Sequence, residues 1–539
     1  MTDPRKKKGK VREQIDAFAI AILMAVLMKY FAIEAYQIPT SSMQPTMMGS
    51  KSAGVYDRIL VDKSRYLFFE PDRWDIAVFR YPIRVQQSYV KRIAGMPNDR
   101  LRIAGGNLYL VTGSDPRNPD HLSPLPRPTG VQEEHWKQIF PARADLFSES
   151  KVLGSAFQAT SGEWTEDADR NLTVRPRGDR IRASIAYADS SRGGLSNLVH
   201  DGYPPWIAKE MIDAGESNPG DGFANDLQHE NVQDIRVAFT VAPKVEIAEL
   251  QAAITVAAPD APPLAFSLLV SGGQARIVVE RDGKEVAAAP AFPLSLAADS
   301  STHLRFAHVD DHCLVEVDGT RRAELPCVAF KTLTRLLPTA TPRGQTSLRI
   351  SVRGGDEVVL SDIVVERDLH YVPTLIGGRG ETDVIEVPDG HYFMLGDNTL
   401  QSVDSRDWTA IELGRDDAGR LVDPNDPRAE NVLDLIGNLR AVPVGRDVDP
   451  DENPVVVSEE KKVVFTDRLG EVWTLAGEVA MSPSTGHTYE SSTPWMNGPN
   501  GPWLPKQSRI RFVPREHIIG RPLLTFWPGF RPFRIGFIR

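Results

Sequence analysis

Apolar and polar positions divide the chain into one unbroken apolar run near its amino end and many short alternating runs after it. The long run is Ala17–Met28, twelve apolar residues. Lys29 interrupts it and Tyr30-Phe31-Ala32-Ile33 continues it. As a helix these 17 residues measure about 25 Å, the short limit for a bilayer span. Beyond them, Ile59-Leu60-Val61, Ile76-Ala77-Val78-Phe79 and Tyr89-Val90-Lys91-Arg92-Ile93 have strand length, and a turn at Gly95–Asp99 precedes Leu101-Arg102-Ile103. Residues 111–150 are rich in proline and polar groups and read as a long excursion. From about 155 to 370 the period is two again: Arg236–Val241, Ala275–Val279, Leu304–Val309 and Leu348–Val352 alternate. Asp282-Gly283 and Asp318-Gly319 are hairpin turns between strand residues. The spacing predicts a β-sandwich with its own core, separable from the rest of the chain, its two ends close together. A further excursion over about 415–505 is acidic early and Gly/Pro-rich late, and carries Trp495 and Trp503, which suit either a membrane surface or core packing.

Charge sharpens the amino end. Residues 1–13 hold six basic side chains against Asp3 and Glu13, while the whole chain is −10. A basic segment ahead of an apolar run suits a buried helix poorly. A cleaved secretory signal fits, but without a good small-x-small exit. A retained single-pass anchor fits best, with the amino end in the cytoplasm and residues 36–539 outside the inner membrane. The net negative charge argues against nucleic-acid binding. Cys313 and Cys327, the two cysteines, exclude a disulfide-framed fold or a thiolate metal cluster. Whether they pair is open: the two-residue turn sets Cys313 opposite Glu324, so a disulfide needs a bulge. His308, Asp310 and His312 would share one face of a strand at metal-ligand spacing, although a solvated strand end accounts for them as well. No metal or other cofactor is expected.

The candidate chemistry lies just past the apolar run. Ile38-Pro39-Thr40-Ser41-Ser42-Met43-Gln44-Pro45 holds its hydroxyls between two prolines, on extended or turning backbone. A serine hydroxyl is a weak nucleophile until a base removes its proton. Lys91, on a strand beside Val90 and Ile93, can be that base once burial makes it neutral. Ser41 is the other candidate nucleophile.

Three strings in order, Thr40–Thr46, Tyr89–Gly95 and Gly396–Arg406, resemble the type I signal peptidases, the bacterial leader peptidases. The last fits the pattern Gly-Asp-Asn-x-x-x-Ser-x-Asp-Ser-Arg at every fixed position. Val513–Arg521 and Arg534–Ile538 resemble that family's carboxyl end. The resemblance implies Ser42 as nucleophile, Lys91 as general base, Thr40 as an oxyanion-hole hydroxyl and Ser402 as the serine that orients the lysine. It implies Asp404 and Arg406 as a structural pair near the site, with Arg92, Asp397 and Asn398 beside them. Trp74, Tyr56 and Asn98 stand where the family has glycines, which puts local turn geometry in doubt.

The expected architecture is mostly β. A cytoplasmic segment (1–13) leads to a transmembrane helix (14–35). A signal-peptidase-type catalytic domain (36–154, 371–414, 506–539) is interrupted by a jelly-roll-like sandwich (155–370) and a second insertion (415–505). The resemblance implies an endopeptidase acting on secretory preproteins with small residues before the cut, beside membrane lipid and the export machinery. The alternatives are an anchored carbohydrate- or protein-binding sandwich on an inactive scaffold, and a self-cleaving Ser–Lys protease.

Overall fold

The computed structural model describes residues 10–140, 157–187, 232–327, 345–371, 384–422 and 507–538, apart from short gaps within those ranges, and six short strands between 431 and 490. Trp495 and Trp503 lie outside the described residues.

The amino-terminal run does not make the expected transmembrane helix. Helix α1 (Lys10–Leu27) takes in Lys10, Arg12, Glu13 and Asp16, Met28–Ala32 is a π turn, and from Ile33 the chain is extended. Its uncharged part, Ala17–Leu27, measures only about 16 Å against a hydrocarbon core of about 30 Å. No described helix is long and apolar enough to cross a membrane. The physical reason is competition. Strand β1 (Ile33–Gln37) pairs antiparallel with β2 (Arg58–Asp62), Ile33 opposite Asp62, so the last residue of the apolar run is spent on a sheet.

The sheet that carries the candidate residues has eight strands. Its order is β1, β2, β6 (Ile518–Trp527), β3 (Ile76–Tyr81), β4 (Arg84–Gly95), β5 (His391–Leu395) and Val513–Pro514, with Gly536–Phe537 added to β6. Chain ends and middle therefore meet in one sheet, with β5 registering Leu395 opposite Arg92. Beside it lies a four-stranded sheet: Ile385–Glu386, Arg100–Ala104, Asn107–Val111 and Leu122–Pro124. Apolar residues from the two sheets, among them Ala94, Leu101, Ile103, Phe393 and Leu395, share one core. Trp74 (φ 73°) and Asn98 (φ 68°) do adopt the left-handed conformation that glycine suits, while Tyr56 does not. A tryptophan there costs on the order of 1–2 kcal/mol.

The sandwich is two eight-stranded antiparallel sheets. Inward residues such as Val237, Phe239 and Val241 meet Leu250, Ala252 and Ile254 of the other sheet in one core. Asp282-Gly283 and Asp318-Gly319 form the expected turns with φ > 0 at both positions. Strand Lys137–Phe140 already belongs to the sandwich, ahead of residue 155, and Lys137 pairs with Arg367. The two ends of the sandwich therefore leave side by side. A bulge at Val315/Glu316 sets Cys313 opposite Leu325. Both cysteines are buried free thiols, Sγ to Sγ 3.4 Å. Asp310 and Asp311 are themselves a turn, both at positive φ, so His308, Asp310 and His312 do not share a strand face. His308 turns into the core and stacks on Phe266, and His312 lies on the outer side. Residues 456–490 add a five-stranded meander, a β element inside the second insertion.

Candidate active site

Thr40 ends an extended stretch, and a single turn of 3₁₀ helix, Ser41–Met43, follows. That turn swings Ser42 inward until it is 3% exposed. Lys91 sits in the middle of β4 and is 1% exposed. Its Nζ donates a hydrogen bond to Ser42 Oγ. Nζ also lies over the Tyr89 ring, 5.9 Å from its centre. Thr40 Oγ1 lies 3.4 Å from Ser42 Oγ. Ser41 is half-buried, and its carbonyl accepts from Asn398 Nδ2 at 3.0 Å.

The segment Gly396–Arg406 closes over the serine turn. Asn398 N–H donates to the Ser42 carbonyl at 3.1 Å. Gly396 is required by proximity: a Cβ there would lie 2.5 Å from Ser42 O and 2.0 Å from Ser402 Oγ. Asp404 accepts from Gly396 N at 3.0 Å and pairs with Arg406 at 2.7 Å, both side chains fully buried. Burial alone would raise the Asp404 carboxyl, but the Arg406 guanidinium overrides it and holds it below the usual range. Arg406 also donates to the Thr399 carbonyl, which ties the loop to itself. Ser402 is fully buried in this loop, yet its hydroxyl makes no hydrogen bond, so this geometry does not link it to Lys91.

Arg92, next to Lys91, points to the other side of β4. It holds Asp397 through two bonds, Nε to Oδ1 at 2.9 Å and Nη2 to Oδ2 at 2.8 Å, and its Nη1 donates to the Trp74 carbonyl at 2.8 Å. Burial pushes Asp397 up, and Arg92 pulls it well below the ordinary carboxylate range. Thr46 Oγ1 donates to Asp397 at 2.6 Å and His135 Nε2 lies 3.5 Å from it. Sequence reasoning named neither Thr46 nor His135. Thr46 lay in a quoted string, but His135 belongs to an excursion read as polar loop. A clue was Pro128 followed by Thr129–His135, a proline at a helix start.

Beside Ser42 and Lys91 opens a cleft of about 80 Å³ between Tyr36–Thr40 and Gln87–Lys91. Among the described residues β1 is an edge strand, and residues 84–90 pair on one side only. An extended peptide can lie between these edges, with room for small side chains beside the serine.

The family model "Signal peptidase, peptidase S26" matches residues 11–120 and 361–416. The chain is 33% identical over 95 residues to "Probable signal peptidase I-2" of Synechocystis sp., covering 17% of this chain and 41% of that protein. It is 29% identical over 113 residues to "Signal peptidase I" of Rickettsia conorii, covering 18% and 42%. The chain thus spans about two fifths of the length of these curated relatives. Among solved structures, the carbohydrate binding module CBM66 from Bacillus subtilis covers 39% of this chain and 96% of its own, at 8% identity and a TM-score of 0.23, too low to carry a ligand across. Residues 11–120 and 361–416, which hold Ser42, Lys91 and the closing loop, are thus similar to the signal peptidase family, peptidase S26.

Proposed function

We propose that the protein is a serine endopeptidase that removes signal peptides from secretory preproteins, with Ser42 as nucleophile and Lys91 as general base. The observation that carries this reading is the buried hydrogen bond from Lys91 to Ser42, both of which line a small cleft. A lysine serves as base only when neutral, and burial favours the neutral amine. Lys91 takes the Ser42 proton as Oγ attacks the scissile carbonyl. Negative charge gathers on the carbonyl oxygen, where the Ser42 N–H and the Thr40 hydroxyl are its donors. Lys91 returns the proton to the leaving amine, the C–N bond breaks, and an acyl-Ser42 ester remains. Water then gives its proton to Lys91 and attacks the ester. Ser42 Oγ leaves with that proton, and the acid product is freed.

The small cleft fits small residues ahead of the cut. Association with a membrane surface is supported by the exposed Leu67, Phe68 and Phe69, with Trp527 and Phe537 at the edge of the neighbouring β6. Emerging preproteins at the export machinery are the substrates this placement suits.

Cleavage of a preprotein with an Ala-x-Ala site tests the reading. Ser42→Ala and Lys91→Ala should each lower kcat by about a thousandfold or more. Ser41→Ala should keep most activity, because Ser41 meets the closing loop through its backbone carbonyl. Activity that survives in Ser42→Ala, or is lost in Ser41→Ala instead, would refute it.

A further inference from the structure

Behind the Arg92–Asp397 pair stands a line of buried polar groups that leads to the sandwich. His135 ends helix α2 (Thr129–His135) and is fully buried. Arg127 Nη1 lies 3.3 Å from its Nδ1. A guanidinium only donates, so Nδ1 is the acceptor, and the neutral ring then carries its proton on Nε2. Nε2 is the atom 3.5 Å from Asp397 Oδ1. Burial holds the ring neutral, its pKa down at about 3.

Arg127 is fixed in turn by carboxylates of the sandwich. It pairs with Asp310 in the turn after Leu304–Val309, at 3.0 Å, and with Asp368 at the end of the last sandwich strand. Gln132 of α2 donates to the other Asp368 oxygen at 2.7 Å. Asp234, Asp310 and Asp368 bring carboxylate oxygens within 4.8 Å of one another, and the guanidinium pairs with two of them, Asp310 and Asp368, while Asp234 accepts from Asn107. Arg127 also lies over the Trp74 ring, 5.9 Å from its centre, and the Trp74 carbonyl accepts from Arg92. His135, Arg127 and Asp310 all fall outside the residues matched by the family model.

We infer that His135 is a positioning residue for the catalytic centre: the sandwich, through Asp310, Asp368 and Arg127, fixes it as the Nε2–H tautomer and sets it against Asp397, bracing the Arg92–Asp397 pair beside Lys91. The sandwich is thereby part of the support of the active site. The inference rests on the peptidase reading for its kinetic consequence, and on the tautomer for itself.

The test uses the full chain. His135→Phe keeps the ring volume and removes both nitrogens, whereas His135→Gln can place an amide N–H near the Nε2 position. With a model preprotein, His135→Phe should lose tenfold or more in kcat with KM within about twofold, and His135→Gln should regain activity to within threefold of wild type. Equal rates for wild type and His135→Phe overturn the proposal. So does a loss in His135→Phe that His135→Gln fails to restore. Where His135→Phe does not fold, His135→Asn replaces it, since its amide reaches only the Nδ1 position. Gln active and Asn inactive supports the proposal, and equal activity contradicts it. If the wild-type chain cleaves nothing, the peptidase reading fails alone. Nitrogen NMR of histidine-labelled protein then decides: a single Nε2–H form at pH 7 that Arg127→Gln converts to a mixture supports the bracing, and an Nδ1–H form overturns it.

Discussion

Two buried titrating groups behind the site, Asp368 and His135, have their pKa values moved in opposite directions. Asp368 is pushed up to about 7, first by burial and then by Asp310 and Asp234, against the opposing pull of Arg127 and Gln132. Its unfolded value is about 4. The folded state therefore binds the extra proton between those values. That stability is present in acid, declines as pH rises from about 4 to 7, and is gone above 7. His135 has the opposite sign. It titrates at about 3 in the fold and about 6.5 unfolded, so its contribution is present above 6.5 and is lost as pH falls toward 3. Melting temperature against pH checks both. Asp368→Asn should flatten the decline from pH 4 to 7, and His135→Gln should flatten the rise from pH 3 to 6.5. Neither residue was legible in the sequence, for one physical reason. Arg127 meets Asp368 across 241 positions and Asp310 across 183, and contacts at such separations leave no local period or motif. Ser42 and Lys91 stood out because each lies in a short contiguous string, and the structure brings the two within hydrogen-bond reach.

At the scale of elements, the segment Gly396–Arg406 acts as a clamp on the serine turn, and its glycine is the tightest point. An alanine at 396 would drive its methyl into the Ser42 carbonyl and the Ser402 hydroxyl. Backbone cannot yield as a side-chain tip does, so Gly396→Ala should lower kcat at least about a hundredfold by displacing Ser42, a shift of about 1 Å sufficing. Unchanged steady-state kinetics in Gly396→Ala would show that the clamp does not position the nucleophile. Alternation foretold the sandwich strands and the two Asp-Gly hairpins. It left open whether Asp310-Asp311 continued the strand or ended it, because two adjacent aspartates carry no glycine signal, although aspartate tolerates the left-handed turn they form. Hydropathy likewise overstated the amino-terminal helix. An apolar count cannot see that Ile33 has a partner in Asp62.

For the whole molecule, the chain's alternation suggested a sandwich that could be cut away without loss. Its ends do lie together, Lys137 opposite Arg367. Yet Arg127, Asn107 and Tyr109 reach across to Asp310, Asp234 and Asp311, and most of these atoms are buried. Removing the partners of a buried charge costs about 3–5 kcal/mol. Replacing 155–370 with a Gly/Ser linker should therefore yield a chain that melts well below the full protein, and Arg127→Met in the same deletion should recover part of the loss. A deletion that melts like the parent would show that the seam contributes little.

If Ser42 is the nucleophile, it carries the acyl group during turnover. Mixing the full chain with an activated acyl ester ending in Ala-x-Ala and reading the mass of each proteolytic fragment locates that group. An adduct on the fragment's Ser42, missing in Ser42→Ala, is the expected result. An adduct on Ser41 or elsewhere, or one that persists in Ser42→Ala, would contradict it.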